Sequence, residues 1–288
     1  MTKYSIAGLC IQFNGGTNDY FDNRLSEYLC ADQNSGVDIS VNYEICNHIE
    51  PPKGKFVANI NHRTWLQTDD GGYASFDYNP TLNIYLARVV ADKHWRQIAV
   101  QLYDVKKLLN IDDTYGIYNM LGEVFRFAIL SNNGIIIHSS AIDYDGNGVI
   151  FSAPSETGKS THTGLWKKKY PDVTTILNDD TPAIRLIHGM PYVFGTPWSG
   201  KTDINCNQSA PLKAIVFLEQ SSMNVVKELN GAQAISRLIN EIRQPAMKTM
   251  MCLSLDMADR LLKDVPTYLL QCNISEDAVD LVKNKIGI

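Results

Sequence analysis

Val149-Ile150-Phe151-Ser152-Ala153-Pro154-Ser155-Glu156-Thr157-Gly158-Lys159-Ser160-Thr161-His162-Thr163 decides how this chain is read. An apolar run enters the stretch and a loop of small and polar residues follows. The segment that leaves it meets no helix breaker before Pro171 apart from Gly164. Residues 153–160 keep the spacing G-x-x-x-x-G-K-[ST], with Ala153 where the first glycine falls. The chemistry of that spacing is local. A glycine at 158 lets the backbone curl around an anion. The N–H groups of the loop and of the following helix turn their positive dipole ends toward it. Lys159 would reach the outer phosphates of a nucleoside triphosphate, and Ser160 would offer its hydroxyl to Mg²⁺. A strand at Val149–Phe151 and a helix near Lys159–Tyr170 are the context that separates this motif from a chance surface turn.

Such a site also needs an acidic group at a second strand end. Thr174-Thr175-Ile176-Leu177-Asn178-Asp179-Asp180 supplies two, beginning 20 residues beyond Lys159. One carboxylate suits Mg²⁺, a hard ion that takes oxygen ligands. The other suits acceptance of a proton from an attacking hydroxyl. On its own, Asn-Asp-Asp is an ordinary turn; its place behind the loop makes it a candidate. Lys201 and Arg243 are candidate cations for a transferred phosphoryl group, with plain surface placement as the alternative. His138, ending the apolar Ile135-Ile136-Ile137, reads either as a core histidine or as a site residue. His162 reads as structural or as lining the nucleotide pocket. Trp198 reads as core or as a stacking surface. Lys167-Lys168-Lys169 is expected to be a solvated helix face near a helix C-terminus.

Outward from the loop, two halves differ in period. Val37, Ile39, Val41, Tyr43 and Ile45 alternate with polar residues, which predicts a half-buried antiparallel strand. Weaker strand patterns cover Tyr4–Phe13, Phe56–Asn61, Tyr73–Tyr78, Leu82–Val90 and His94–Tyr103, with a hairpin turning near Ala91-Asp92-Lys93. From Ile117 to Ile129 apolar residues recur at helical spacing, and Asn132-Asn133-Gly134 supplies a stop. Ile135 to Asp143 reads as one strand, and Asp145-Gly146-Asn147-Gly148 as a tight turn. Further strands are expected at Val173–Leu177, Lys213–Glu219 and Tyr268–Leu270. Helices are expected around Ile235–Ile242 and after Ser275, which is placed to cap the last one. The resulting division is a β-rich domain, residues 1–105, followed by an α/β nucleotide-binding domain, residues 106–288.

Composition bounds the rest. The 288 residues carry 26 Lys and Arg against 31 Asp and Glu, for a net charge of −5, which argues against nucleic acid as the main partner. No apolar run is long enough to span a membrane, and the first residues lack the pattern of a secretory leader. The six cysteines form no C-x-x-C pair and are expected to be reduced, mostly buried thiols of a cytoplasmic protein.

His138-Ser139-Ser140, the Asp145–Gly148 turn, Ser155–Thr161 and Asn178-Asp179-Asp180 occur in one order and at compact spacing. In this they resemble the C-terminal domain of HPr kinase/phosphorylase, within the phosphoenolpyruvate carboxykinase-like superfamily. Gly195-Thr196-Pro197-Trp198-Ser199-Gly200, Pro211–Gln220 and Glu276–Val279 are similar to a bacterial branch of that superfamily, some of whose members phosphorylate serine in proteins, peptides or the free amino acid. The resemblance covers about residues 117–288. It implies an α+β or α/β chain whose second domain has a mixed sheet of that type. It implies ATP and Mg²⁺ as cofactors, with Ala153, Pro154, Ser155, Glu156, Thr157, Gly158, Lys159, Ser160 and Thr161 around the phosphates. Lys159, His138, Asp179 and Asp180 would be catalytic. Asp179 and Asp180 divide the roles of metal ligand and base in an order left open, with Ser160 and Asp179 as the working metal pair. The implied activity is transfer of phosphate to a hydroxyl of a protein, peptide or small molecule, and the implied assembly is a homo-oligomer. The glycine-rich stretch that follows the acidic pair in HPr kinases is replaced here by Gly195–Lys201, which points away from HPr as acceptor. The alternatives are a nucleotide sensor without catalysis and a carboxykinase-like enzyme acting on a small metabolite.

Overall fold

The computed structural model describes residues 2–60, 62–109, 115–242 and 245–288. The fold is mixed α and β, built on two mixed sheets. The chain divides into two units, Met1–Ser131 with Pro245–Cys252, and Asn132–Gln244 with Leu253–Ile288.

The first unit holds strands β1 (Thr2–Ile6), β2 (Leu9–Asn14), β3 (Ile39–Cys46), β4 (Lys55–Ile60), β5 (Arg63–Gln67), β6 (Tyr73–Asn79), β7 (Ile84–Ala91) and β8 (Gln97–Tyr103). Its helices are α1 (Asp19–Leu25), α2 (Val105–Leu109) and α3 (Gly116–Ala128). The sheet order is β1-β2-β3-β8-β7-β6-β5-β4. The segment expected as a single strand from Tyr4 to Phe13 is a hairpin. Ala7 and Gly8, at φ 51° and 70°, make the two-residue turn whose positive φ values match strand twist. Strand β3 buries Ile39, Val41 and Tyr43, as its alternation requires, but it runs parallel to both β2 and β8 rather than antiparallel. A period of two reports which face is buried and carries no direction. Direction is set by the crossover through α1, whose N-terminus is capped by the Asn18 side chain accepting from the Phe21 N–H. Helix α3 presents Ile117, Leu121, Val124 and Ala128 to the interior. There Trp65, Trp95 and Phe127 pack with ring centroids 5.1 Å apart in each pair with Phe127.

The second unit contains β9 (Gly134–Ile136), β10 (Ser139–Tyr144), β11 (Asn147–Ser152), β12 (Thr174–Asn178), β13 (Ala183–Ile187), β14 (Met190–Phe194), β15 (Ser209–Gln220), β16 (Val225–Glu228) and β17 (Thr267–Cys272). Its helices are α4 (Lys159–Lys169), α5 (Gly231–Glu241), the C-terminal part of α6 (Lys248–Asp264) and α7 (Glu276–Ile286). Strand order is β12-β10-β11-β15-β14-β13-β9, with β17 also on β15 and β16 on β17. Three central strands, β11, β15 and β17, run parallel. They read as unbroken apolar runs because both faces are covered. On one face Trp166 of α4 and Val279, Val282 and Ile286 of α7 close the core over Phe151, Val216 and Leu270.

Three expectations are corrected here. The run from Ile135 to Asp143 is two strands: β9 pairs with β13, and β10 pairs with β11 and β12. His138 falls in the break between them. Ser275 begins α7 but makes no side-chain cap; its hydroxyl accepts from Asn224 Nδ2 at 2.9 Å. The cysteines are free thiols, but none is buried: five are half-buried and Cys252 is exposed. Among the described residues no helix is long and apolar enough to cross a membrane.

Candidate functional site

Strand β11 is fully buried from Gly148 to Ser152 and delivers the chain to the Ala153–Gly158 loop. Two left-handed residues shape that loop, Glu156 at φ 66° and Gly158 at φ 113°. Nothing lies within 4 Å of where a Cβ on Gly158 would be. The glycine is therefore required by its backbone angle and not by crowding. It turns the chain into α4, whose N-terminus has no side-chain cap. Lys159 is buried, and its Nζ donates to the Ala153 carbonyl at 2.8 Å, folding back over the loop. Burial pushes its pKa below the ordinary lysine value. The nearby carboxylates of Glu241, Asp180 and Asp179 oppose that shift. Ser160, next along, is exposed.

Asp179 and Asp180 follow the last residue of β12 and occupy different surroundings. Asp179 is buried, 5% exposed, and its Oδ1 accepts from Ser140 Oγ at 2.8 Å. Ser140 Oγ lies 2.9 Å from Thr163 Oγ1 and, with its own proton on Asp179, accepts from it. Two buried hydroxyls thus tie this carboxylate to the second turn of α4, the carbonyls of Lys159 and Ser160 being the alternative acceptors for the Thr163 proton. Asp180 has a side chain 39% exposed, with Oδ1 3.4 Å from His138 Nε2. The other ring nitrogen, Nδ1, is 3.1 Å from Glu241 Oε2 at the end of α5. The backbone fixes the same trio. His138 N–H donates to the Glu241 carbonyl, Ser139 N–H donates to the Asp180 carbonyl, and Ser152 Oγ donates to the His138 carbonyl.

The acidic turn is braced from below. Asn178 is fully buried; its Nδ2 donates to the carbonyls of Thr196 and Trp198 at 2.9 and 3.1 Å. Its Oδ1 accepts from the N–H groups of Asp180 and Thr181 at 2.9 and 2.7 Å. Thr181 Oγ1 donates to the Trp198 carbonyl. Two glycines let the 195–206 segment approach this closely. A Cβ on Gly195 would lie 1.9 Å from the Cys206 carbonyl oxygen. One on Gly200, at φ 66°, would lie 3.0 Å from Asp180 Cβ.

The geometry brings together Lys159, Asp179, Asp180 and His138, all within the second unit, and Ser160 is exposed in the first turn of α4. Trp198 is buried, 9% exposed, and packs as core. Lys201 is exposed on the turn after Gly200, and Arg243 lies outside the described residues. His162 is buried and neutral: burial pushes its pKa down to about 4, and its Nε2 accepts from Trp166 Nε1 at 3.2 Å. The lysine run lies in the last turn of α4 with Lys167 and Lys168 exposed, as expected, and Lys169 half-buried. Lys168 and Lys169 also pair with Glu276 and Asp280 of α7 at 2.9 and 2.6 Å. Sequence reasoning missed Thr163 and Glu241. Thr163 carried a signal, being a polar residue one turn beyond Lys159 on the inward side of the helix. Glu241 carried none, lying 103 residues from its partner His138.

Among the described residues no group of three or more His, Cys, Asp or Glu is arranged to hold a metal ion by itself.

No curated protein matches the chain. Among solved structures, the Hpr(Ser) kinase/phosphatase from Coxiella burnetii aligns at 10% identity and a TM-score of 0.30, over 52% of this chain and 95% of that one. Residues 113–283 match the family model described as SynChlorMet cassette protein ScmC, and the chain belongs to that family.

Proposed function

We propose that the second unit is a Mg²⁺- and ATP-dependent phosphotransferase acting on a hydroxyl of a protein, peptide or small molecule. The observation that supports this most is the pairing of a left-handed Gly158 loop with two unlike carboxylates, one buried and bonded toward α4 and one open beside His138. In this reading the loop of residues 153–161, through its backbone N–H groups other than at Pro154, and the Lys159 side chain hold the phosphates. Ser160 and Asp179 hold Mg²⁺, which would offset charge on the phosphate oxygens. Asp180, the more open acid, accepts the proton of the acceptor hydroxyl. The acceptor oxygen forms a bond to the γ-phosphorus while the bond from that phosphorus to the β,γ-bridging oxygen breaks, and ADP leaves. His138, held between Glu241 and Asp180, orients the accepting carboxylate.

The test is label transfer from γ-³²P-ATP with Mg²⁺ to a library of serine-containing peptides and proteins, with ADP release followed in parallel. Transfer that falls about 10³-fold in Asp180→Asn, an effect within the range for a proton acceptor, supports the reading. Neither label transfer nor ADP release by the unsubstituted chain would overturn it.

A further inference from the structure

The sheet of the first unit has a face that phosphate transfer does not use. In β3, β7 and β8 the core side chains are Val41 and Tyr43, Ala87 and Val89, and Ile98 and Val100. Alternation turns Asn42 and Glu44, Arg88 and Val90, and Ala99 and Gln101 to the opposite face. These three strands are the middle of the sheet, and their register sets the outer residues in two rows. In one row Arg88 stands opposite Gln101, and Gln101 opposite Glu44. In the other, Val90 stands opposite Ala99, Ala99 opposite Asn42, and Asn42 opposite Asn14 of β2. Ala99 has the shortest side chain of the two rows, so the surface is hollow over it. The hollow has a volume of about 460 Å³, within the range of small-molecule sites.

Among the described residues its lining carries one cation, Arg88, and one anion, Glu44. Arg88 Nη1 donates to Gln101 Oε1 at 3.2 Å, and Gln101 Nε2 donates to Glu44 Oε1 at 2.6 Å. A single carboxamide therefore separates the guanidinium from the carboxylate. Arg88 Nε is buried and has no hydrogen-bond partner among the described residues. A buried donor left unpaired costs free energy, and a guanidinium fork is shaped for a carboxylate. Glu44, exposed on the far side of Gln101, offers its negative charge to an ammonium. A peptide terminus carries one of these two charges, whereas a free α-amino acid carries both on one carbon, at the close spacing that one carboxamide sets. One cation against one anion selects a ligand of no net charge, and so an uncharged side chain. Val90 and Ala99 form the floor beneath that side chain. Beyond them, Asn42 Oδ1 accepts from Asn14 Nδ2 at 3.0 Å, which leaves Asn42 Nδ2 to donate to a hydroxyl or amide oxygen.

We infer that this hollow binds a free α-amino acid with an uncharged polar side chain. Its carboxylate lies on Arg88, its ammonium on Glu44, and its side chain runs over Val90 and Ala99 toward Asn42. The site shares no residue with the phosphate loop, and its failure would leave the nucleotide reading as it stands.

The experiment is calorimetric titration of the full chain with serine, threonine, asparagine and glutamine in turn, and with the α-carboxamide of each, which keeps the ammonium and lacks the carboxylate. At least one of the four amino acids is expected to bind saturably, and its carboxamide at least about tenfold more weakly, the size of a lost charge-assisted hydrogen bond. Arg88→Gln should weaken the amino acid by about the same factor and bring it within about twofold of its carboxamide. That loss of discrimination is an effect a merely structural role of Arg88 would not produce. Ala99→Ile fills the hollow with a side chain that suits a strand. Because Ala99 is exposed, this variant should keep the parent's circular dichroism spectrum and lose amino-acid binding. Failure of all four amino acids to bind the parent chain, equal affinity for amino acid and carboxamide, discrimination retained in Arg88→Gln, or full affinity in Ala99→Ile would each overturn the site.

Discussion

In the first unit the buried polar residues described are Arg63 and Ser75; in the second there are thirteen, and most lie where β11 and β12 end and β10 begins. Burying a polar group costs free energy unless it is bonded, so this asymmetry shows what each interior is organised around. Arg63 is held bidentately by Asp77, at 2.8 and 2.6 Å, and by Glu123 at 3.1 Å, fastening β5 and β6 to α3. In the second unit Ser140, Thr163 and Asp179 form one buried hydrogen-bonded set and Asn178 and Thr196 another, on either side of the acidic turn. The first arrangement closes on itself, while the second holds charge beside the loop.

The sharpest way to break this comparison is in the acidic pair. Asp180→Asn should reduce phosphate transfer about 10³-fold, about 4 kcal/mol of transition-state stabilisation, and leave ATP affinity within threefold by calorimetry. Loss of affinity with no loss of turnover would make Asp180 a binding residue. Next in size is Arg63→Ala, which leaves two partly exposed carboxylates facing each other. It should cost about 3 kcal/mol, the lower end for a broken buried pair, seen as a lower thermal midpoint. ATP affinity measured below the transition should not change.

His162 gives a pH test. Its folded pKa, about 4, lies below its ordinary value of 6.5, so the unfolded chain binds the proton more readily. Stability is therefore complete above about pH 6.5 and falls as pH drops toward 4, by about 2 kcal/mol at pH 5 from this group alone. His162→Gln should flatten that part of the curve; an unchanged slope would place its cause elsewhere. The smallest effect is expected from Ser140→Ala, which removes one link between Asp179 and α4. About 1.5 kcal/mol of stability should be lost, with a modest rise in the Mg²⁺ concentration needed for ATP binding.

The loop was legible in the sequence because its structure is a local matter. Gly158 takes its left-handed angle from its own backbone, and the small residues around it fix the spacing to Lys159. The hairpin turn after Tyr144 was legible for the same reason: Asp145 and Gly146 carry φ values of 48° and 80°. What could not be read was anything decided by partners distant in sequence. The apolar Ile135-Ile136-Ile137 gives no sign that β9 and β10 pair with different strands, although that break is what puts His138 beside Asp180. Glu241 reaches His138 through the end of α5, and Asn178 reaches Trp198 through a close approach at Gly195. The parallel direction of β3 was likewise hidden, since alternation encodes a face and no direction. In the first unit, β5 is short and carries a buried arginine, so it has no strand signature in the sequence.

The account turns on whether the Ala153–Ser160 loop is a nucleotide site. The most direct measurement is calorimetric titration of Mg²⁺-ATP into the chain and into Lys159→Met, which keeps the stem of the side chain and removes its charge. The account predicts saturable 1:1 binding that depends on Mg²⁺ and weakens at least about thirtyfold in the variant, a loss of about 2 kcal/mol expected for a charge-assisted hydrogen bond. Absence of binding in the parent chain, or equal affinity in the two, would contradict it.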